Sequence, residues 1–184
     1  MNAVVLVLLV LVVLALLAVM SRNRLVRLSI SADEAFAQIE VQLKRRSDLI
    51  PNLVETVKGY TNHEASTLEA VVAARAKATA ATSVADVAAA DGSVTQALRG
   101  LLAVTENYPD LKASANFLAL QEELSTTENK VSFARQFYND TVRSLNSAIK
   151  TFPSSLFVNS AKVAVRPFYE VDDPQDRKAP TVKF

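Results

Sequence analysis

The chain has 184 residues, of which half are hydrophobic, with a formal net charge of +1, one histidine (His63) and no cysteine. The missing cysteine excludes a disulfide framework, a thiol nucleophile and any zinc site of the cysteine type, and the single histidine excludes a multi-histidine metal site. A net charge this close to zero provides no global field to attract nucleic acid, so we expect no nucleic-acid partner.

The chain begins with an apolar run, Ala3 to Met20, that contains no charged or polar side chain. As a helix its 18 residues would measure about 27 Å, close to the ~30 Å hydrocarbon core of a bilayer. A cleavable signal peptide needs a positive n-region and a small-x-small cleavage site. Only Met1 and Asn2 precede the run, and "ALLAVMSRN" is a poor cleavage site. The sequence therefore predicts a retained transmembrane anchor with its basic flank, residues 1–24.

Three arginines, Arg22, Arg24 and Arg27, follow the apolar run, and no positive side chain precedes it. The positive-inside rule then places the N-terminus outside and the rest of the chain in the cytoplasm. We expect a single-pass protein of the inner (cytoplasmic) membrane. A patch that binds anionic lipid is an alternative role for the same arginines, and the two roles can coexist.

The first soluble helix is predicted to begin near Ser31, where "SADE" forms a capping box with Glu34. An apolar stripe at steps of three and four follows, formed by Phe36, Ile39, Leu43, Arg46, Ile50, Leu53, Val57 and Tyr60. The stripe keeps its phase through Pro51, so we expect the helix to continue past the proline, with a static kink or a hinge as alternatives. Proline at this position leaves the Ser47 carbonyl without its helical hydrogen bond.

Breaker residues divide the middle of the chain. After Gly59, "TNHE" at 61–64 is compatible either with an unbroken helix or with the cap of a new one. The small, polar stretch at 81–93 indicates a turn region with weak helix inside it. "ENYPD" predicts a helix stop at Pro109 and a new N-cap at Asp110.

The longest uninterrupted stripe lies between Pro109 and Pro153. It is formed by Phe117, Leu120, Leu124, Val131, Ala134, Tyr138, Val142, Leu145, Ile149 and Phe152. Long helices with one-sided stripes must cover one another. The predicted fold is all-α: an N-terminal transmembrane helix, then an up-and-down antiparallel helical bundle with long helices at 25–165. Residues 166–184, charged and rich in proline, are predicted to be an extended or mobile tail.

Arg46 lies on the apolar stripe of the first soluble helix. A buried guanidinium needs a carboxylate, because an unpaired charge in a core is very costly. Of the acidic residues on the later helix we favour Glu128 as the partner, with the pair fixing the register of the two helices; the alternative is that Arg46 binds an anionic ligand. Arg46, Glu128 and Pro51 are therefore structural candidates, and we predict no catalytic, cofactor-binding or metal-binding residue.

Four blocks of the sequence carry a resemblance: "VQLKRRSDLIPNLVETVKGY", "HEASTLEAVVAAR", "ENYPDLKASANFLALQEELSTTENKVSFARQFYND" and "IKTFP". In order and spacing they resemble the LemA family of bacterial membrane-anchored proteins, over roughly Leu25 to Pro153. The resemblance implies a mostly up-and-down helical bundle behind one transmembrane segment, and it implies no established activity. After Pro153 the sequence departs from the family's pattern, because it lacks the expected Gly-Phe turn.

Together these observations predict a non-enzymatic, membrane-anchored scaffold or adaptor without a cofactor. Its expected partners are the lipid bilayer and an unidentified protein, with self-association left open. The alternative is a membrane-tethered sensor or small-ligand-binding helical module, with a pocket between helices lined by buried polar residues such as Arg46 and Tyr138.

Overall fold

The computed structural model describes residues 2–61 and 64–170. They form α1 (Asn2–Lys58), α2 (Ala65–Ala80), α3 (Val84–Thr105), α4 (Pro109–Lys112), α5 (Ala115–Lys150), a 3-10 turn (Ser154–Phe157) and α6 (Val158–Ala161). No strand occurs within these two ranges, and the predicted all-α helical-bundle class is confirmed. The fold comprises two compact units. The first contains the chain up to Ile39 together with 134–168, and the second contains 40–133 together with Tyr169 and Glu170.

Helix α1 is continuous from Asn2 to Lys58. The predicted separate start near Ser31 is wrong: Ser31 and Glu34 lie inside the helix. The physical reason is that no glycine or proline occurs between Ala3 and Ile50. The helix therefore does not stop before Ser31, and the capping-box motif has no helix start to stabilise.

The apolar run of α1 is the part of the described chain that is suited to cross a membrane. An 18-residue window in it has a mean hydropathy of 3.5, and none of that window is buried within the protein. Along the run, large side chains such as Leu9 and Met20 are more than half exposed. A helix that offers only hydrocarbon to its surroundings fits a lipid environment, so the predicted N-terminal membrane helix is supported.

The second unit has one hydrophobic core to which five helices contribute. Its buried side chains are Ile50, Leu53, Val54 and Val57 of α1, Leu68 and Val71 of α2, Val94, Leu98 and Leu101 of α3, Leu111 of α4, and Phe117 and Leu124 of α5. Helix α1 supplies four of these side chains, α3 three, and α2 and α5 two each. This packing gives the amphipathic helices the tertiary contacts on which their stability depends.

Helix α3 begins at Val84, so the prediction of a turn region over 81–93 is wrong for most of that stretch. Ser83 is its N-cap: its hydroxyl oxygen accepts a hydrogen bond from the Asp86 backbone N–H (3.1 Å) and donates one to the Asp86 carboxylate (2.6 Å). This reciprocal cap and the buried faces of Val87 and Ala88 outweigh the cost of one glycine, Gly92, in the helix.

The break between α1 and α2 and the start of α4 bear on two of the sequence-based expectations. Helix α1 ends at Lys58 and α2 begins at Ala65, so the helix is not continuous through this region; Asn62 and His63 lie outside the described residues. Pro109 occupies the first turn of α4 and Tyr108 is the N-cap. The predicted cap at Asp110 is wrong: proline has no backbone N–H that needs an acceptor, so Pro109 is well suited to open the helix itself.

The first unit pairs part of α1 with part of α5. The rings of Phe36 and Tyr138 lie 5.7 Å apart between centroids and are tilted by 54°. The buried side chains here are Leu25, Ala32, Ala35 and Ile39 of α1 and Tyr138, Val142, Leu145 and Ala148 of α5. Phe152, predicted as the last member of the α5 stripe, is instead 80% exposed, because α5 already ends at Lys150.

Candidate functional site

The most distinctive group in the second unit is a buried charge cluster centred on Arg46 of α1. Arg46 Nη1 donates to Asp91 Oδ1 of α3 (3.0 Å) and to Thr95 Oγ1 one turn further along α3 (3.0 Å). The side chains of Arg46 and Asp91 are 6% and 1% exposed. Because the pair is dehydrated, removal of either partner would leave an uncompensated buried charge.

Glu128 of α5 adds a second carboxylate to this cluster. Its Oε2 lies 2.7 Å from Arg46 Nη1, an ion-pair contact without the angle of a hydrogen bond, and its side chain is 37% exposed. The structure thus brings together the two residues that the sequence singled out as a pair. Asp91, which the sequence analysis did not name, is the more deeply buried of the two carboxylates on Arg46.

Asp91 could have been found from the spacing on α3. Val87, Asp91, Val94 and Leu98 follow one another at steps of four, three and four, the same rhythm as the apolar stripes. The interpretation of 81–93 as a turn region interrupted that stripe. Once α3 is known to start at Val84, an acidic residue on the buried face calls for a cationic partner, and Arg46 is the buried cation.

Tyr169 completes the cluster from the C-terminal side. It is buried, and its hydroxyl donates to Asp91 Oδ2 (2.8 Å). Both oxygens of the Asp91 carboxylate therefore accept a hydrogen bond, which satisfies the charge without water. Tyr169 lies in the stretch 166–184, which is predicted to be an extended or mobile tail. In the structure Arg166 to Glu170 form no helix or strand, Tyr169 is held by this contact, and residues 171–184 lie outside the described ones.

A cavity of about 350 Å³ lies next to the cluster, between α1, α2 and α3. Its apolar wall comes from Leu43, Ile50, Val87 and Val94, and its polar lining includes Arg46, Asp91, Lys44, Asp48 and Arg75. The volume is at the small end of the range for ligand pockets, ~300–1,000 Å³. Tyr138, which the sequence analysis named beside Arg46 as a possible lining residue, belongs to the first unit.

Pro51 lies inside α1, as its unbroken stripe predicted. The Ser47 carbonyl, which proline cannot bond, accepts a hydrogen bond from Arg75 Nε of α2 (2.9 Å). Arg75 therefore has a structural task at the edge of the cavity. The sequence predicts that the Ser47 carbonyl lacks its helical hydrogen bond, but it does not indicate which group donates to that carbonyl.

In the first unit, polar side chains hold the extended segment that follows α6. Asn146 of α5 forms two hydrogen bonds with the backbone of Arg166: its amide donates to the carbonyl (2.8 Å) and its oxygen accepts from the N–H (2.9 Å). The Arg166 side chain pairs with Asp33 of α1 (2.8 Å). Tyr138 donates its hydroxyl to the Pro167 carbonyl (3.0 Å). The side-chain amide of Asn146 thus satisfies both the backbone N–H and the backbone C=O of Arg166, as a neighbouring strand would do in a sheet.

Two tyrosines have raised pKa values. Burial raises the pKa of Tyr138 most; the charge of Arg166 opposes the shift and that of Asp33 adds to it. For Tyr108, desolvation raises the pKa first, followed by the hydrogen bond to Glu64 (3.2 Å) and its negative charge. Both hydroxyls therefore act as hydrogen-bond donors at neutral pH, which is a structural role.

Metal ligation has no support in the described part of the chain, where no group of three or more His, Cys, Asp or Glu side chains is placed to hold an ion. The charge cluster itself joins one guanidinium to two carboxylates, with Thr95 and Tyr169 as neutral partners. Such an arrangement balances the buried guanidinium with carboxylate charge, although Arg46 Nε and Glu128 Oε2 have no hydrogen-bond partner among the described residues. It can fix the register of α1, α3 and α5 in this unit and shape the wall of a cavity.

Comparison with known proteins assigns the family. A model described as the LemA family matches residues 35–184, most of the chain, and it extends beyond Pro153 into the region where the sequence departs from the pattern expected above. The chain is also similar to Protein LemA of Metamycoplasma hominis, with 30% identity over 135 residues, which cover 71% of this chain. The aligned part spans 60% of the length of that relative. The chain belongs to the LemA family.

Proposed function

We propose that this protein is a membrane-anchored, non-enzymatic scaffold or adaptor. The observation that carries the proposal is the continuity of α1. The helix with the exposed apolar run also supplies Leu25 and Ile39 to the core of the first unit and Leu53 and Val57 to that of the second. A membrane helix that continues into a bundle core holds the bundle at the bilayer without a flexible linker. The LemA family is not known as an enzyme family, which supports the non-enzymatic part.

The proposed location is the inner membrane, with a single span, the N-terminus outside and the bundle in the cytoplasm. The support is the placement of Arg22, Arg24 and Arg27, all exposed, on one side of the apolar run only. In this scheme residues 1–24 are the anchor with its basic flank, 25–165 are the bundle, and 166–184 are a C-terminal extension. Because the chain has no cysteine, single introduced cysteines can report the orientation by their accessibility to a membrane-impermeant reagent from either side.

The expected partners besides lipid are proteins, either an unidentified one or a second copy. Support comes from Phe133 of α5, which is 71% exposed in the second unit. Phenylalanine is among the residues that are enriched at the cores of protein interfaces relative to the rest of the surface.

Site-specific photocrosslinking tests the scaffold proposal. A benzophenone amino acid at position 133, in the full chain in its native membrane, should give discrete crosslinked products. The same group at Ser144, an exposed polar site of α5, should give fewer. Absence of any product specific to position 133, together with a monomeric mass in nanodiscs, would count against the scaffold.

The cavity beside Arg46 favours a second candidate, a tethered small-ligand module. Its mostly apolar wall, with Arg46 and Asp91 among the lining residues, has the composition of a ligand pocket. A ligand that binds the folded state raises the unfolding temperature. Thermal-shift screening of the full chain should therefore find a compound whose effect disappears when Thr79, which lines the cavity, is replaced in Thr79→Trp. A screen in which no compound gives a shift sensitive to Thr79→Trp would leave the scaffold as the sole candidate.

A further inference from the structure

The turn that follows α5 exposes two large apolar side chains. Phe152 is 80% exposed, the highest value for a large hydrophobic residue in the described chain, and Leu156 is 69% exposed. Between them Ser154 is buried. The turn therefore has one side directed into the first unit and an apolar side directed away from it.

The direction of α5 relative to α1 within this unit can be derived from its buried residues. Phe36 contacts Tyr138, which is the first buried residue of α5 in the unit. The remaining buried residues of α5 follow Tyr138 in sequence, whereas most of the buried residues of α1 precede Phe36. The two segments must therefore run antiparallel, so that the C-terminal end of α5 lies beside the N-terminal end of the covered part of α1.

Helix geometry then gives the level of the turn along α1. Sixteen residues separate Phe36 from Met20, the last residue of the apolar run, which corresponds to about 24 Å at ~1.5 Å per residue. Twelve residues separate Tyr138 from Lys150, the end of α5, or about 18 Å. The turn thus begins about 6 Å from the level of Met20. This distance is close to the thickness of the headgroup layer, about 5–8 Å on each side of the hydrocarbon.

The burial of α1 just past the apolar run agrees with this level. Ser21 and Leu25 are 7% and 0% exposed, so protein covers α1 up to the first residue after Met20. Within this unit the chain available to cover them runs from the end of α5 through the turn and α6. The exposed side of the turn therefore lies at the surface of the bilayer that α1 is proposed to cross.

The charges at this end of the unit all have one sign. Lys150 and Lys162 flank the turn and are exposed, as are Arg22 and Arg24 on α1. The sequence contains no acidic residue before Asp33 and none between Asp140 and Glu170. Cations around an exposed aromatic and an exposed aliphatic side chain are the composition of segments that bind anionic membrane surfaces.

We propose that Phe152 and Leu156 form a second membrane contact, in which the turn after α5 inserts into the interfacial layer of the bilayer that α1 crosses. Lys150 and Lys162 contact anionic headgroups beside it. The contact rests on the proposed span and restrains the orientation of the first unit at the membrane surface. It also explains why an apolar stripe that is buried along α5 continues into exposed residues where the helix ends.

Site-specific fluorescence in vesicles tests this contact with the full chain. The absence of native cysteine allows the single variants Phe152→Cys and Leu156→Cys to be labelled with an environment-sensitive nitrobenzoxadiazole dye. In vesicles of phosphatidylcholine and phosphatidylglycerol we expect blue-shifted emission at both sites, at least twofold stronger quenching by shallow nitroxide lipids than by iodide in the water, and weaker lipid quenching without phosphatidylglycerol. Both side chains are exposed, so the substitutions should leave the helical circular dichroism unchanged.

Two further labels make the outcome decisive. Phe137→Cys is the matched control, since Phe137 is also an exposed aromatic of α5 in this unit but lies thirteen residues, or about 20 Å, before the end of the helix. Its dye should be quenched by iodide and not by lipid. Val12→Cys reports the span. If positions 152 and 156 behave like position 137 while position 12 is protected, the second contact is overturned and the anchor stands. If position 12 is also open to iodide, the anchor fails and the second contact fails with it.

Discussion

Arg75 of α2 donates a hydrogen bond from Nε to the backbone carbonyl of Ser47 on α1 (2.9 Å), four residues before Pro51. In a regular helix that carbonyl would be bonded by the N–H of residue 51, which proline lacks. A side chain from a neighbouring helix therefore replaces a bond that the sequence of α1 deletes. The energetic cost of Pro51 in α1 therefore depends on the packing of α2 against α1, because α2 supplies the replacement donor.

This coupling is testable with a double-mutant cycle. We expect Arg75→Met to lower the free energy of unfolding by about 1–2 kcal/mol in the wild-type chain, because the Ser47 carbonyl loses its donor. In a Pro51→Ala background the same change should cost almost nothing, since the new backbone N–H can bond Ser47. Lys77→Met, at an exposed site in the last turn of α2, is the control. Equal costs in both backgrounds, measured by thermal unfolding in detergent, would contradict the replacement.

The burial of the Arg46 cluster predicts which of its two acidic partners, Asp91 or Glu128, contributes more to stability. Asp91→Asn should destabilise the fold by about 3–5 kcal/mol, because it leaves a buried guanidinium without its main counter-charge. Glu128→Gln should cost about 1 kcal/mol or less, because the Glu128 side chain is more than a third exposed and water screens its charge. Chemical denaturation measures both. A larger loss for Glu128→Gln than for Asp91→Asn would reverse the assignment.

A matched pair on the surface serves as the control for this order. Arg45 and Glu123 connect the same two helices, α1 and α5, at 2.9 Å, but both side chains are about half exposed. Their coupling energy in a double-mutant cycle should be about 0–1 kcal/mol. The coupling between Arg46 and Asp91 should be several times larger.

Tyr169 gives a prediction for the C-terminal segment. Tyr169→Phe keeps the buried ring and removes the hydroxyl that donates to Asp91, so we expect a loss of about 1–2 kcal/mol and faster amide exchange at 166–170. Phe168→Leu, at a partly exposed neighbouring site, should change neither quantity appreciably. Unaltered exchange in Tyr169→Phe, followed by mass spectrometry, would show that the hydroxyl does not hold this segment.

The raised pKa of Tyr138 predicts a loss of stability in alkali. Its phenol ionises near pH 10 in the unfolded chain and at higher pH in the folded one, mainly because it is buried. The unfolded state therefore loses its proton first, and the contribution of Tyr138 to stability, complete below pH 10, declines as the pH rises through the folded pKa.

The measurement is the unfolding free energy between pH 8 and 11. It should fall more steeply in the wild type than in Tyr138→Phe, which cannot ionise. Absorbance of the phenolate near 295 nm in the folded protein should show one tyrosine fewer titrating late in that variant. Parallel curves for the two proteins would contradict a raised pKa at this position.

Much of this architecture was predictable from local patterns. The apolar run, the two long stripes and the scarcity of glycine predict a membrane helix followed by a helical bundle, since hydrophobic periodicity directly reports which faces must be covered. The same logic identified Arg46 as a buried cation that needs a carboxylate, and Pro51 as a position inside a continuing helix. These inferences depend only on residues close together in the sequence.

The structure differs from the predictions where a local signal competes with packing. "SADE" has the form of a helix start, but α1 has no break there; 81–93 has the composition of a turn, but a Ser83 cap and buried valine and alanine hold it in α3. Capping motifs and glycines allow a helix to start or stop but do not require it to do so. Whether the chain uses them depends on what packs against it.

The sequence by itself determined the helical class, an apolar N-terminal helix long enough to cross a membrane, and the need for a counter-charge at Arg46, because each follows from the period, composition or charge of a single segment. Only the tertiary structure decided which groups meet: Asp91 and Tyr169 on the buried cluster, Arg75 on the Ser47 carbonyl, and the level of Phe152 along α1. These relationships join residues far apart in the chain. Their distances depend on how helices pack, a property that no single segment of sequence encodes.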